Sequence, residues 1–65
     1  MKLEIGSKIS WLCAAGNLNG TVERIVLDLN AANQTVPWLM VKTEKNVVRL
    51  CGNDSNLKAL RVRVI

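Results

Sequence analysis

Residues 9–25 read ISWLCAAGNLNGTVERI: an apolar run, a stretch of small and amide residues with glycines at 16 and 20, and a second β-branched run. Runs of Ile, Leu, Val and Trp bounded by Gly and Asn are the punctuation of strands, so residues 9–14 and 21–27 are expected to form a β-hairpin. Gly16 and Gly20 are expected to supply positive φ and close backbone approach in the loop between them, where Asn17 and Asn19 also tolerate the left-handed region. Val22 and Ile25 stand three apart, so pointing both inward requires a bulge at Glu23 or Arg24, which bends the strand. A helix competes for the same residues: Val22, Ile25, Val26 and Leu29 fit the i, i+3, i+4, i+7 template with Thr21 as its cap. The β-branched content and the preceding glycine favour the strand.

The same punctuation continues outward. Residues 38–43 and 47–51 flank a polar turn, Glu44-Lys45-Asn46, and residues 61–65 close the chain. Between them NDSNLKAL (53–60) opens with capping residues and is expected to make one helical or 3₁₀ turn. A chain of 65 residues buries only about 60% of the surface its unfolded form exposes, enough for a single small domain spanning residues 1–65. No repeat, linker or low-complexity tract interrupts it.

Alternation assigns faces, because a period of two sends neighbours to opposite sides. With Lys45 and Asn46 as turn residues, Val41 falls opposite Leu50 and Thr43 opposite Val48 on the core face. Met40 then falls opposite Cys51, and Lys42 opposite Arg49, on the outer face that continues to Trp38. Like charges directly opposite one another cost stability, so Lys42 and Arg49 imply a reason for their retention. In the last strand Leu60, Val62 and Val64 point inward, and Arg61 and Arg63 outward. Trp11 shares a face with Ile9 and Cys13 and reads as core. Trp38 either stands open beside the cations or closes the end of the fold beneath the loop DLNAANQTV (28–36).

The stretches KISW, AAGNLNGTVERI, PWLMV and VVRLCGNDSNLKAL together resemble small SH3-like barrels of the Tudor-like and KOW-like kind. In these a glycine-bearing hairpin is followed by two strands, a short turn and a closing strand. The resemblance implies an all-β, five-stranded SH3-like barrel with one helical turn before the last strand. KOW-like domains bind RNA or ribosomal and transcription partners, often through basic loops. Tudor-like domains bind methylated Arg or Lys in a cage of several aromatics, which two tryptophans and no Tyr or Phe cannot build in one copy. The barrel of the plasmid-borne dihydrofolate reductase type carries a Gln/Tyr strand pattern that VVRLCG lacks.

Chemistry-bearing motifs are sparse. There is no histidine, no G-x-S-x-G, no P-loop and no plausible carboxylate pair, and the glycine stretch has neither the Lys-Ser/Thr nor the third glycine of phosphate motifs. Glu23 and Asp28 read as solvated strand-end charges, and Cys51 beside Arg49 lacks a base to make it a nucleophile. Cys13 and Cys51 are too few for a zinc site and read as buried thiols. No enzyme, cofactor or metal is expected.

The net charge of +4, from nine Lys/Arg against five Asp/Glu, reads as attraction to phosphates or as solubility. The leading expectation is a noncatalytic module that binds nucleic acid, with Lys42, Arg49, Arg61 and Arg63 on phosphates and Trp38 as a stacking platform. The alternative is a protein-interaction adaptor or self-associating homo-oligomer in which Leu29, Trp38 and Met40 form an apolar contact. The longest apolar stretch is far short of the roughly 20 residues that span a bilayer. A cytoplasmic accessory protein of a bacterium or phage, without membrane contact, is the expected setting.

Overall fold

The computed structural model describes residues 3–65. The chain forms β1 (Lys8–Cys13), β2 (Gly16–Leu29), β3 (Thr35–Lys42), β4 (Val47–Cys51), a short helix α1 (Asp54–Ala59) and β5 (Arg63–Val64). The strands make one antiparallel sheet in the order β4-β3-β2-β1-β5. The fold is therefore all-β with a single helical turn and a half before the last strand, and residues 21–29 are strand rather than helix.

The opening stretch folds more tightly than its loop-like composition implies. Cys13 pairs with Gly16, leaving Ala14 and Ala15 as a two-residue turn, and Asn17 to Gly20 belong to β2. Gly16 takes φ 111°, a value that favours glycine. Gly20 has a different reason: a Cβ there would lie 2.5 Å from Val41 Cγ1 and 2.8 Å from the Lys42 carbonyl oxygen. Asn17 and Asn19 are not left-handed; Asn33 is, with φ 59°, in the β2–β3 turn. There the Asn30 side chain accepts the N–H groups of Ala32 and Gln34, which shortens the expected 28–36 loop to residues 30–34.

The pairing of β2 with β3 slips between Val22 and Arg24, so Glu23 is the extra residue of a bulge. This bulge divides β2. Residues 16–21 pair with β1 and residues 21–29 with β3, meeting at Thr21. Val22 is buried, whereas Ile25, though on the same face, is more than a third exposed and does not join the core.

The core is made by Ile9 and Trp11 of β1, Val22, Leu39 and Val41 of β3, Leu50 of β4, Leu57 of α1 and Val62, with Leu3, Val48 and Leu60 packed around it. Val64 faces Ile9 but is half exposed. Asn53 caps α1, its side chain accepting the Asn56 N–H at 2.8 Å. The helix ends in a Schellman motif: the Val62 N–H reaches the Leu57 carbonyl, and the Arg61 N–H that of Lys58. Arg61 fills the left-handed position, φ 52°, where glycine is usual. Val62 and Leu57 supply the apolar contact that accompanies this cap.

The β3–β4 register differs from expectation by two residues. Lys42 pairs with Val47, Met40 with Arg49, Leu39 with Leu50 and Trp38 with Cys51. The Thr43 hydroxyl accepts the N–H groups of Lys45 and Asn46, and the Thr43 N–H reaches the Asn46 carbonyl. Four residues therefore form the turn instead of two. A shift of two keeps every side chain on its expected face and changes only its partner. Lys42 and Arg49 are consequently not opposed. Both cysteines are free thiols and half-buried rather than buried.

Candidate functional site

The outward residues of β1, β2 and β5 lie in rows fixed by register. Lys8 stands opposite Thr21, which stands opposite Lys42; Arg63 stands opposite Ser10, which stands opposite Asn19. Leu12 faces Asn17 in the next row. The face thus alternates cations with hydroxyls and amides, groups that donate to anionic oxygens.

Two shallow grooves run over this face. One, of about 350 Å³, is lined by Lys8, Asn19, Thr21, Lys42, Thr43 and Glu44 among others. The second, also about 350 Å³, lies among Ser10, Leu12, Asn17, Arg61 and Arg63. A third hollow, bounded by Asn17, Asn19, Thr43 and Lys45, shares residues with both. Glu44 is the one acidic side chain lining these grooves among the described residues, against Lys8, Lys42, Lys45, Arg61 and Arg63; Ile65, the last residue, also lines the first. Each of these five cations is exposed.

The expected site residues separate into two groups. Arg61 and Arg63 share a groove, and Lys42 lines its neighbour. Trp38 and Arg49 sit on β3 and β4. The Arg49 guanidinium lies over the Trp38 ring at 4.6 Å from its centroid, and it approaches Asp28 at 3.9 Å. The indole N–H of Trp38 donates to the Leu29 carbonyl at 3.3 Å. Trp38 is half-buried, one ring face already covered by a cation. Its side chain neither stands free as a platform nor belongs to the core.

Leu29, Trp38 and Met40 do not form one apolar patch. Leu29 pairs with Thr35, three positions from Trp38, so by alternation its side chain lies on the opposite face of the sheet from Trp38 and Met40. The residue that sequence reasoning missed is Lys8. Its position one before Ile9, in a strand where Ile9 and Trp11 point inward, was sufficient to place it outward. Among the described residues no group of three His, Cys, Asp or Glu is placed to hold a metal ion, and no helix is long and apolar enough to cross a membrane. No family model, curated protein or solved structure matches the chain.

Proposed function

We propose that the chain is a small SH3-like barrel that binds nucleic acid, without catalysis, through the outer face of β5, β1 and the first half of β2. The strand order β4-β3-β2-β1-β5, the bulge that lets β2 serve both halves of the sheet, and the helical turn between β4 and β5 support the barrel. The observation that carries the binding reading is the grouping of Lys8, Lys42, Arg61 and Arg63 on one grooved face among Ser10, Asn17, Asn19 and Thr21. Cations set the attraction to phosphate, and the interleaved amides and hydroxyls fix the backbone's position without reading sequence.

Arg61 adds a physical argument. A non-glycine residue in the left-handed region costs about 1–2 kcal/mol; here the helix cap holds it there, and residues kept in such conformations cluster at functional sites. The position suits glycine, and an arginine occupies it at the mouth of the groove.

The test is a titration of labelled single- and double-stranded oligonucleotides over a range of salt. Four phosphate contacts predict a slope of log K against log salt of about −3, each contact contributing about −0.7 to −0.9. Lys8→Ala and Arg63→Ala are each expected to weaken binding to all sequences alike and to flatten the slope by nearly one contact. Absence of binding at low salt, or binding that ignores salt, overturns the proposal.

A further inference from the structure

Beyond Val22 no described strand pairs with the free side of β2. The segment Arg24-Ile25-Val26-Leu27-Asp28 is thus bonded to β3 on one side and open on the other. Which backbone groups face the opening follows from the neighbouring bonds. Gly52 N–H donates to the Pro37 carbonyl, so Pro37 turns its carbonyl toward β4 and away from β2. Its partner Leu27 therefore turns its own N–H and C=O away from β3, and alternation gives Ile25 the same direction. The open stretch ends at Leu29, whose N–H is taken by the Asp28 carboxylate at 2.7 Å and whose carbonyl accepts the Trp38 indole N–H at 3.3 Å.

Apart from Arg24 and Asp28, the exposed side chains along this edge are apolar. Leu27 is 72% exposed and Leu29 54%, with Ile25 and Val26 each above a third. An open, apolar strand edge of this length is a template for pairing with another strand.

We infer that this edge pairs antiparallel with the same edge of a second copy of the chain, about a two-fold axis through Val26. Only registers that bring Ile25 and Leu27 opposite one another, or opposite themselves, let outward backbone groups meet. Of these, the register centred on Val26 is the one that also matches charge. It sets Ile25 opposite Leu27 of the second copy as a hydrogen-bonded pair, twice. It sets Val26 opposite Val26, and Arg24 opposite Asp28, also twice, as non-hydrogen-bonded pairs whose side chains approach most closely. The segment RIVLD is self-complementary in backbone polarity, apolarity and charge together. Arg24 makes no ion pair among the described residues; Asp28 accepts the Leu29 N–H on one carboxylate oxygen and approaches Arg49 at 3.9 Å on the other, with both side chains of that pair more than half exposed. Both remain available to a second copy. The paired sheet would run β4-β3-β2 into β2-β3-β4 of the other copy and cover the Ile25 and Leu27 side chains on its inner face.

The charge pairs make the register testable by exchange. Sedimentation equilibrium of the wild-type protein is expected to show a monomer–dimer equilibrium. Arg24→Asp places Asp opposite Asp28, and Asp28→Arg places Arg opposite Arg24; each is expected to weaken dimerisation by at least about tenfold. The double variant R24D/D28R restores opposite charges in this register and is expected to return the dimer to within about threefold of wild type. Arg24, Val26 and Asp28 are all exposed, and circular dichroism of each variant verifies that the monomer keeps its fold. Val26→Lys provides an independent arm, since it puts two ammonium groups together on the axis and should yield monomer. Four results overturn the inference: a wild-type protein that stays monomeric at millimolar concentration, a dimer indifferent to the single charge changes, a dimer unaffected by Val26→Lys, or single losses that the double variant does not rescue.

Discussion

The two halves of β2 face the same physical problem and meet it differently. Residues 16–21 pair with β1 and leave their other edge toward the Thr43–Lys45 turn; residues 24–29 pair with β3 and leave their other edge to solvent. In the first half the outward-turning backbone belongs to Asn17 and Asn19, because Val22 turns its own N–H and C=O to Ser7 and Gly6 and alternation does the rest. That edge is short, lined by amides and overhung by a polar turn, three devices that discourage strand pairing. In the second half the outward backbone belongs to Ile25 and Leu27, and none of those devices is present. The bulge at Glu23 hands the strand from one neighbour to the other, and with it changes which edge is protected. One strand thus carries part of the face proposed to meet phosphates at one end and the edge proposed to pair with a second copy at the other.

The largest effect that sharpens this contrast belongs to Gly20. A Cβ there meets the Lys42 carbonyl, a backbone atom that cannot step aside, and the fully buried Val41. Gly20→Ala is expected to lose about 3 kcal/mol of unfolding free energy, at the upper end of overpacking costs. In the second half, Leu27→Ser is expected to change monomer stability by no more than about 0.5 kcal/mol, since little of the side chain is buried. Urea denaturation of both variants at low concentration checks the pair. A large loss for Leu27→Ser would mean that the second half packs as tightly as the first.

The same contrast explains what was legible from sequence. Val22 and Ile25, three apart among strand formers, were enough to place the bulge, because only an extra residue reconciles that spacing with a period of two. Faces were legible for β3 and β4, yet partners were not. Thr43 competes for the backbone of its own turn, and nothing in alternation reports a slip of two. Leu29 reads as part of an exposed apolar contact, though grouped with residues of the other face, and Leu27 was unreadable for the opposite reason. Apolar residues in a strand look like core wherever the core ends, and only the fold shows that it ends near Leu39. The helix cap was half legible: Asn53 announced the start, but a Schellman stop without glycine hides Arg61 as an ordinary strand residue. Of the site, Arg63 and Lys42 followed from alternation, whereas the withdrawal of Trp38 and Arg49 into a mutual stack depended on the shifted register.

A second, smaller effect separates strain from function within the basic face. Arg61→Gly removes a left-handed arginine and substitutes the residue that the Schellman position favours. The gain in the folded state is partly offset by glycine's greater freedom when unfolded, leaving an expected stabilisation of up to about 1 kcal/mol. Oligonucleotide affinity should fall in the same variant. Thermal unfolding and the salt titration, run on one preparation, read both; a variant that is less stable, or that binds as well as wild type, contradicts the assignment of Arg61 to phosphate.

The smallest effect concerns Arg49, and it has the opposite pattern. Had Lys42 stood across from Arg49, removing the arginine would have relieved a like-charge pair and raised stability. The register instead sets Met40 across from it, and the guanidinium lies over Trp38 and near Asp28. A cation over an indole at an exposed site is worth about 0.5–1 kcal/mol, and the exposed pair with Asp28 adds little, since water and salt screen it. Arg49→Ala is therefore expected to cost about 0.5 kcal/mol and to red-shift Trp38 fluorescence, the ring having lost its cover to water. Its position away from the β1–β5 face means that the salt slope of oligonucleotide binding should stay within experimental scatter of wild type, while Arg63→Ala flattens it. A slope that falls by a full contact on removing Arg49 would join the two halves of β2 into one binding surface and dissolve the division on which the comparison rests.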